Sequence, residues 1–472
     1  MERTFLDRRH AWLLCALVAL AALLVNPIGY VGGHFDDARY LEAASCWVKA
    51  NSVCLPANHW AARWPVVAPI AALSAWFGES RTTVGLGALP GWIGSIVLLG
   101  WLGRLWFDRR TGLIAAALLA ATPIFTMAAL QPGVDTVELA FQLAALVAAT
   151  IAYRRQSRPL ALLAGGLAAL AVQSRDTSLL FCIASAVAWL SLEREPRRIL
   201  LWAIAGFAAA MSIELAAYWL ATGNPLYRYS LSLAHVGVPS QELPAGFDTR
   251  QSPLFNPSYI ASWRREMDIH LWWPLDPWLN LLASPRIGHL LLSAVLLLLL
   301  GWRGAEPRVR RVLLKVIAAV LMIAMVLVYG LAIDPKPRMF LLLAAAAALA
   351  SGSMVSAAWT ARRPLVPMVL VGLVIALGLT TLSRTPHVRE FEAVAARWVR
   401  EHPGDLAVDR DTVPTLRLTR GLDTLPFTPS ARRYRVAGGE QPCDRYGGMV
   451  FDQSPVHGGG RICLIDTRPS RR

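Results

Sequence analysis

Long apolar runs recur along the chain and limit its fold more than any other feature of the sequence. They include "AWLLCALVALAALLVNPIGY", "VLLKVIAAVLMIAMVLVYGLAI" and "MFLLLAAAAALASGSMVSAAW". About 20 apolar residues in a helix cross the roughly 30 Å hydrocarbon core of a bilayer. Only 16% of the 472 residues are charged, whereas a soluble protein carries about 25%. The sequence therefore predicts an all-α polytopic membrane protein.

Arginine clusters separate the apolar runs and indicate how the chain is oriented. The formal charge of +15 would suggest a nucleic-acid partner in a soluble protein, but here it follows the positive-inside rule for cytoplasmic loops. We therefore expect no nucleic-acid partner. The clusters lie at Arg3, Arg8 and Arg9; Arg104, Arg109 and Arg110; Arg154, Arg155 and Arg158; Arg194, Arg197 and Arg198; Arg303, Arg308, Arg310 and Arg311; and Arg362 and Arg363.

The short apolar segment 63–78, "RWPVVAPIAALSAWFG", is the ambiguous one. If every arginine cluster is cytoplasmic, an even number of crossings separates each cluster from the next. A crossing by this segment, which contains two prolines, would break that rule. We therefore expect a helix at the outer surface with Trp64 and Trp76 at the interface, and residues 31–82 form one external loop.

The remaining apolar runs predict about eleven transmembrane helices, with the N-terminus inside and the C-terminus outside. We expect them at about 11–30, 83–103, 112–129, 135–153, 160–173, 178–192, 199–220, 282–302, 312–333, 339–359 and 365–382. A second long external loop covers 221–281. Residues 383–472 are polar and predict a small external α/β domain. In it, "EFEAVAARWVREH" reads as an amphipathic helix, and "DLAVD", "GGMVFD" and "RICLID" read as strands.

The six cysteines agree with this orientation. Cys46 and Cys54 share the first external loop, and Cys443 and Cys463 share the C-terminal part. Disulfides form in oxidising compartments, so we predict the bonds Cys46–Cys54 and Cys443–Cys463. Cys15 and Cys182 fall within apolar helices, and no Cys/His spacing in the sequence is typical of a zinc site.

Charged residues from four distant turns gather on the predicted outer face. Each alone is an ordinary solvated acid or interface anchor, and two adjacent carboxylates at a membrane exit are costly unless a cation, a partner or water receives them. Together, opposite charges on one face predict a polar site at the membrane–water boundary. These residues are Asp36 and Asp37 after the first helix, Asp135 after "LQPGV", Arg175 and Asp176 in "QSRDTS", and Lys336 and Arg338 in "DPKPRMF".

The segment "FDDARYLEAA" resembles the Asp-Glu-Ala-Arg-Tyr signature that opens the first external loop of GT-C glycosyltransferases. These include the protein O-mannosyltransferases and the aminoarabinose transferases of lipid A. The likeness continues in order through "ARWPVVAPIAALSAWFG", "LGRLWFDRRTGLIAAALLAATPIF", "LQPGVDTVELAF", "LAGGLAALAVQSRDTSLL", "GNPLY" and "PKPRMFLLLAAAAALASG". It spans residues 1–382, which we take as a GT-C transmembrane catalytic domain with external juxtamembrane helices.

The resemblance implies transfer of a sugar from a polyprenyl phosphate such as undecaprenyl phosphate. The acceptor would be a glycolipid, polysaccharide or protein of the cell envelope, met on the outer side of a bacterial inner membrane. Asp36 falls at the family's catalytic aspartate, Asp37 replaces its usual glutamate, and Asp135 falls at the second acidic position. The donor phosphate is assigned to Arg175, Arg338 and Lys336, and the acceptor or lipid groove to Tyr40, Arg63 and Trp64.

The chemistry of the implied reaction needs a base and a cation. An acceptor hydroxyl is a poor nucleophile until a carboxylate takes its proton, and Asp36 is the candidate. The leaving phosphate needs its growing charge neutralised, by Arg175, Arg338 or a divalent metal; no cofactor is certain. One displacement with one base inverts the anomeric centre.

Two other functions compete with the transferase. A transporter or flippase of polyprenyl-linked lipids would need charged residues deep in its helices, for which Glu138 and Glu214 are the main candidates. A scaffold whose C-terminal part binds a partner would leave the charged site idle. The ordered likeness to the GT-C family favours the transferase.

Overall fold

The computed structural model describes residues 8–25, 35–192, 197–236, 274–331, 337–361 and 363–384, and four short strands in the C-terminal part. Sixteen α-helices lie in these residues. They are α1 (Arg8–Val25), α2 (Phe35–Ala50), α3 (Trp64–Phe77), α4 (Arg81–Trp106), α5 (Arg109–Ala121), α6 (Pro123–Met127), α7 (Val134–Arg155), α8 (Arg158–Ser174), α9 (Ser178–Leu192), α10 (Arg197–Thr222), α11 (Tyr227–Val236), α12 (Asp276–Ala283), α13 (Gly288–Gly301), α14 (Pro307–Met325), α15 (Leu341–Thr360) and α16 (Leu365–Arg384).

Six stretches within the described residues are long and apolar enough to cross a membrane. They are Thr82–Trp106, Val134–Arg155, Arg198–Thr222, Pro307–Gly330, Pro337–Thr360 and Leu365–Leu382. Two bent helix pairs, α5 with α6 and α12 with α13, raise the number to eight if each pair is one span. The chain is therefore a multi-pass membrane protein.

Helix length and apolar composition identify at most eight spans among the described residues, fewer than the eleven crossings predicted. All eleven predicted segments contain helix, but several of these helices are short. At about 1.5 Å per residue, the 17 residues of α8 and the 15 of α9 extend roughly 25 Å and 22 Å, less than the hydrocarbon core. Whether they cross with the help of flanking turns stays a prediction.

The predicted external loop 31–82 contains two helices. Helix α3 has 14 residues, about 21 Å, which is too short to span a bilayer. Its inner face packs with α2 and α4 in a core that includes Tyr40, Val67 and Ile70. On its other side the apolar side chain of Trp76 is 78% exposed, which agrees with a residue at a membrane interface.

Two breaks in the helical body are joined to each other. Helices α5 and α6 meet at a 64° bend, and α12 and α13 meet at a 99° bend. The amide of Ile124 at the first break donates to the carbonyl of Arg286 at the second, at 3.2 Å. Each break thus satisfies a backbone group that a bend would otherwise leave without a partner.

Glycines bring α8 and α10 into backbone contact. A Cβ added at Gly165 would lie 1.8 Å from the Ala203 carbonyl oxygen, and one at Gly206 would lie 2.0 Å from that of Leu162. Small residues at helix crossings allow this approach in membranes. The contact fixes the spacing between α8, which ends just before Arg175, and α10.

Four strands in the C-terminal part form one sheet. They are β1 (Leu406–Val408), β2 (Tyr434–Gly439), β3 (Met449–Pro455) and β4 (Arg461–Asp466), in the order β1-β2-β4-β3. Strands β1 and β2 are parallel, and the other pairs are antiparallel. The sequence indicated β1, β3 and β4 but not β2. The helix expected at 390–402 lies outside the described residues, so an α/β domain stays a prediction.

Candidate functional site

Arg175 is the centre of a buried polar cluster at one end of α7. Its Nη1 lies 2.8 Å from Oε2 of Glu138, and its Nη2 contacts Oδ1 of Asp135. Both carboxylates stand on the first turns of α7, three residues apart, and therefore on one helix face. The side chains of Arg175 and of both acids are each 11% exposed, so the three charges meet largely shielded from solvent.

Glu138 is held by further hydrogen bonds on its second oxygen. Oε1 accepts from Ser178 Oγ and, at 3.1 Å, from Gln142 Nε2. Gln142 Nε2 is also 3.0 Å from Ser178 Oγ. Three donors, Gln142 of α7, Arg175 of the 175–177 turn and Ser178 of α9, therefore fix this carboxylate in one orientation.

The segment between α1 and α4 reaches the same cluster. Arg63, at the start of α3, donates from Nη1 to the Tyr40 hydroxyl of α2 at 2.7 Å. Arg63 also acts electrostatically on Glu138, and Tyr40 on Arg175. We call the set of Tyr40, Arg63, Asp135, Glu138, Gln142, Arg175 and Ser178 the Arg175 cluster. Two arginines face two carboxylates in it.

Asp36 and Asp37 lie in the first turn of α2. Tyr40 follows Asp36 by four residues and Asp37 by three, so both positions share the helix face that carries Tyr40. Tyr40 is 1% exposed and is bound to Arg63. The backbone therefore places both aspartate positions about one helical turn from the Arg175 cluster.

A second cluster, the Arg228 cluster, adjoins the first. Arg228 of α11 is 2% exposed. Its Nη1 is 3.1 Å from Oε1 of Glu214 in α10, and its Nη2 is 2.8 Å from the Val172 carbonyl oxygen and 2.9 Å from Oδ1 of Asp176. Ser232 donates to the other oxygen of Asp176 at 2.9 Å. Gln173 donates from Nε2 to the Ala210 carbonyl of α10 at 3.4 Å, acts electrostatically on Glu214 and completes the cluster.

The carboxylates keep both guanidinium groups charged. Burial alone would lower the pKa of Arg175, but the negative charges of Glu138 and Asp135 outweigh it and the pKa lies above its ordinary value. Burial likewise opposes the charge of Arg228, and Asp176 and Glu214 raise its pKa above the ordinary value. Each arginine is therefore a permanent cation fixed by two anions.

The other predicted site residues lie elsewhere or outside the described residues. Arg338 is exposed in a 3₁₀ turn, Pro337–Phe340, just before α15. Trp64, at the first position of α3, is partly exposed. Lys336 lies outside the described residues.

A disulfide joins Cys46 to Cys54 and closes the C-terminal end of α2 onto the following loop. The bond predicted for Cys443 and Cys463 cannot be placed, because Cys443 lies outside the described residues.

Sequence reasoning had not assigned Glu138, Gln142, Ser178 or Arg228 to the site. Glu138 was noted only as a deep charge, although its spacing from Asp135 puts both on one face of α7. Ser178 and Gln142 carry no signal in a single sequence. Arg228 follows "GNPLY", and its partners lie 14 and 52 residues away.

No group of three or more His, Cys, Asp or Glu side chains within the described part of the chain converges as metal ligands. Asp135 and Glu138 do not fit a metal pair, because the Arg175 guanidinium already lies against both. In the Arg175 cluster, the guanidinium of Arg175 occupies the position that a metal ion would take between two carboxylates.

Comparisons with known proteins place the fold. Residues 63–220, about one third of the chain, match the model of a family described as dolichyl-phosphate-mannose-protein mannosyltransferase. This segment contains Arg63, Asp135 and Arg175, and it is narrower than the predicted likeness over 1–382. No curated protein sequence matches the chain.

Solved structures of GT-C transferases resemble the chain at low sequence identity. The crystal structure of the Archaeoglobus fulgidus oligosaccharyltransferase with Zn and sulfate is 15% identical, with a TM-score of 0.56 over 86% of this chain and 61% of that one. The structure of the same archaeal enzyme with an inhibitory peptide and a dolichol-phosphate is 13% identical, with a TM-score of 0.51 over 87% and 63%. ArnT from Cupriavidus metallidurans in the apo state is 15% identical, with a TM-score of 0.42 over 98% of each chain.

The likeness to the archaeal oligosaccharyltransferase confirms the predicted GT-C fold. The chain spans about 61% of the length of the archaeal oligosaccharyltransferase. Its activity, substrates and partners are therefore argued from its own residues.

Proposed function

We propose that the protein is a membrane glycosyltransferase that moves a sugar from a polyprenyl-phosphate donor to an envelope acceptor, with inversion at the anomeric carbon. The observation that carries the proposal is the Arg175 cluster. It joins residues from α2, α3, α7 and α9, which are distant in sequence, in a fold shared with a lipid-dependent transferase. The neighbouring archaeal enzyme has been observed with a dolichol-phosphate and an inhibitory peptide, which supports a lipid-linked donor here.

Asp36 is the proposed general base. Its position one turn before Tyr40 puts it beside a cluster whose own carboxylates, Asp135 and Glu138, are already bound to Arg175. A carboxylate already held by a guanidinium is less available to meet an attacking hydroxyl at hydrogen-bond distance. The two α2 aspartates are thus better candidates for accepting a proton than the α7 acids. Asp37 would orient the acceptor.

Arg175 and Arg338 are the proposed partners of the phosphate. Arg175 uses two of its five N–H groups on the α7 carboxylates, and the others remain available to oxygen atoms of a leaving phosphate. Arg338 stands before α15, where an exposed guanidinium can bind phosphate oxygens in a fork. Lys336, two residues earlier in the sequence, would add a second positive charge. Tyr40, Arg63 and Trp64 would line the acceptor side or the lipid groove.

The proposal includes a topology. Residues 1–382 would form the catalytic membrane domain with eleven crossings, and residues 383–472 a small α/β domain. The site would face the outer side of a bacterial inner membrane, where a glycolipid, polysaccharide or protein acceptor is met. The Cys46–Cys54 disulfide supports an oxidising compartment on that side.

The buried carboxylates favour a transferase over a flippase. A flippase would need charged residues that line a path through the membrane. Glu138 and Glu214, the two candidates, are instead ion-paired with Arg175 and Arg228 near one end of their helices. Their charges are thus used in fixed clusters.

The decisive experiment is sugar transfer by purified protein in nanodiscs, with Asp36→Asn compared with wild type. Asparagine keeps the size but cannot take a proton from an attacking hydroxyl, so we expect a loss of about 10²–10⁴-fold in kcat. Asp37→Asn should lose less. Glu42→Gln is the matched control on the same helix, since Glu42 is exposed and pairs with Arg39 at 3.2 Å. An Asp36→Asn variant that turns over at the wild-type rate would show that the base is elsewhere.

The donor is tested at Arg338. Arg338→Ala removes a charge-assisted bond to phosphate, and we expect the KM for the polyprenyl donor to rise roughly 10- to 100-fold. Arg338→Lys should recover part of the loss, because lysine keeps the charge but not the fork. Arg363→Ala is the control, because this exposed arginine follows the other end of α15. Equal donor KM in all variants would reduce Arg338 to an interface anchor.

A further inference from the structure

Arg228 is bound to more partners than a simple ion pair requires. Its guanidinium is nearly fully buried and meets both oxygens of Glu214, at 3.1 and 3.4 Å, together with the Val172 carbonyl and Asp176. These acceptors belong to α10, α8 and the turn that follows α8. One side chain of α11 thus fixes three separate elements.

Asp176, one of those partners, is the residue next to Arg175. Consecutive Cα atoms are about 3.8 Å apart, so the backbone of Asp176 cannot move far without moving Arg175. The turn that contains both residues is itself hydrogen-bonded. The Arg175 amide donates to the Ala171 carbonyl oxygen at 3.0 Å. The Ser178 amide donates to the carbonyl oxygen of Arg175 at 2.9 Å, and the Leu179 amide donates to that of Asp176 at 3.1 Å.

The two side chains leave this turn toward different clusters. Arg175 reaches the α7 carboxylates, and Asp176 reaches Arg228 on α11. The end of α8 is therefore held from one side by α7 and from the other by α11. Release of either contact would free the turn to rotate about the end of α8.

We propose that Arg228 is a positioning residue for sugar transfer: by fixing Asp176 and the Val172 carbonyl, it sets the place of the Arg175 guanidinium at the site. The inference rests on the proposed function, in which Arg175 meets the charge that develops on the leaving phosphate. A buried ion pair is weak support for stability when an apolar core would serve as well. An apolar residue at position 228 could fill the same space, but it could not place a second charged side chain as Arg228 does.

The test compares Arg228→Lys and Asp176→Asn with wild type in the nanodisc transfer assay. Lysine keeps the charge beside Glu214 but cannot bind Val172, Asp176 and Glu214 in one fork. We expect a folded protein whose kcat falls about 10- to 100-fold while the donor KM changes less than about threefold, because a misplaced Arg175 loses transition-state contacts. Ser356→Ala is the control; Ser356 donates to Asp108 at 2.7 Å, far along the chain from both clusters.

A second measurement does not depend on activity. Asp176→Asn and Asp135→Asn alter carboxylates that share no hydrogen-bond partner, so their shifts in melting temperature should add if the clusters are independent. We expect the double variant to deviate from the sum by more than about 2 °C, because both act on the 175–176 turn. Asp135→Asn with Ser356→Ala is the matched additive pair.

The outcomes separate this inference from the proposed function. If wild-type protein transfers no sugar but the Asp135/Asp176 pair is non-additive, the transferase fails and the link between the clusters stands. If wild type transfers sugar and Arg228→Lys keeps the wild-type kcat, or the pair is additive, the positioning role of Arg228 is overturned. A lower kcat with an unchanged donor KM, together with non-additivity, supports it.

Discussion

The Arg175 and Arg228 clusters have nearly the same composition but different construction. Each contains one largely buried central arginine, two carboxylates, one glutamine and one serine, and the Arg175 cluster adds Tyr40 and Arg63. Arg175 takes its carboxylates from two positions on α7, and its side chain is 11% exposed. Arg228 takes its carboxylates from α10 and the 175–177 turn, and is 2% exposed.

The difference concerns what each arginine joins. Through its two carboxylates, Arg175 ties a single helix, α7, to the turn that follows α8. Acids on separate elements can be satisfied by one guanidinium only if those elements are packed. The Arg175 cluster is therefore suited to present a cation, and the Arg228 cluster is suited to connect helices.

The largest effect on folding is expected for Arg228→Ala. This change leaves Glu214 buried without a counter-charge and frees α11 from α8, and removal of one partner of a buried pair costs about 3–5 kcal/mol. The free energy of unfolding would be measured by denaturant titration in detergent micelles. The paired variant Arg228→Ala/Glu214→Gln should recover part of the loss. A loss no larger than that of Arg175→Ala would contradict the distinction between the clusters.

Arg175→Ala should have a smaller effect on folding and a larger one on activity. Glu138 keeps its hydrogen bonds from Ser178 and Gln142, and Arg63 remains near it, so we expect about 1–3 kcal/mol of lost stability. Sugar transfer should fall more than in Arg228→Lys. The measurement is unfolding and transfer on the same preparation, with Arg175→Lys as the companion variant. Wild-type transfer by Arg175→Ala would remove Arg175 from the site.

The two glutamines, Gln142 and Gln173, offer a matched comparison in which smaller losses of stability are expected. Gln142→Leu removes bonds to both Glu138 and Ser178 and should cost about 1–3 kcal/mol. Gln173→Leu should cost less, because its Oε1 is buried without a hydrogen-bond partner among the described residues and leucine removes that unmet acceptor. Thermal unfolding of the two variants side by side decides the order. The reverse order would mean that Gln173 holds Glu214 more firmly than its geometry indicates.

The smallest effects are expected at the two serines. Ser178→Ala removes a buried donor to Glu138, and we expect about 1 kcal/mol of lost stability. Ser232→Ala should be within about 0.5 kcal/mol, since the Asp176 side chain is 36% exposed and water can replace the hydroxyl. Both variants should be compared by melting temperature in the same micelle. Equal shifts would indicate that Asp176 is less accessible to water than its exposed area suggests.

Sequence reasoning was most successful where hydrophobicity alone decides the structure. Each predicted transmembrane segment contains helix, because apolar runs in a bilayer must satisfy their backbone groups internally. The number of membrane crossings was harder to predict. Helices such as α8 and α9 are shorter than a bilayer is thick, and arginine clusters give the side of a loop but not the depth of a helix.

Part of the candidate site could also be predicted from the sequence. Asp135, Arg175, Tyr40 and Arg63 were assigned through an ordered resemblance, and the fold brings these four together. Glu138 shares a helix face with Asp135, and that spacing was readable in the sequence. The contact of Arg228 with Asp176 spans 52 residues and depends on how α8, α10 and α11 pack. No local pattern in the sequence predicts that packing.

The glycine contact between α8 and α10 limits which sequences this architecture tolerates. Alanine at Gly165 or Gly206 would bring a methyl group to about 2 Å from a carbonyl oxygen, so the helices would have to separate by more than about 1 Å to reach van der Waals distance. Glu214 would then move away from Val172 with α10, and the Arg228 guanidinium could no longer reach both. A one-carbon substitution at this helix crossing would therefore act at a distance, as a change in the length that the Arg228 side chain must bridge.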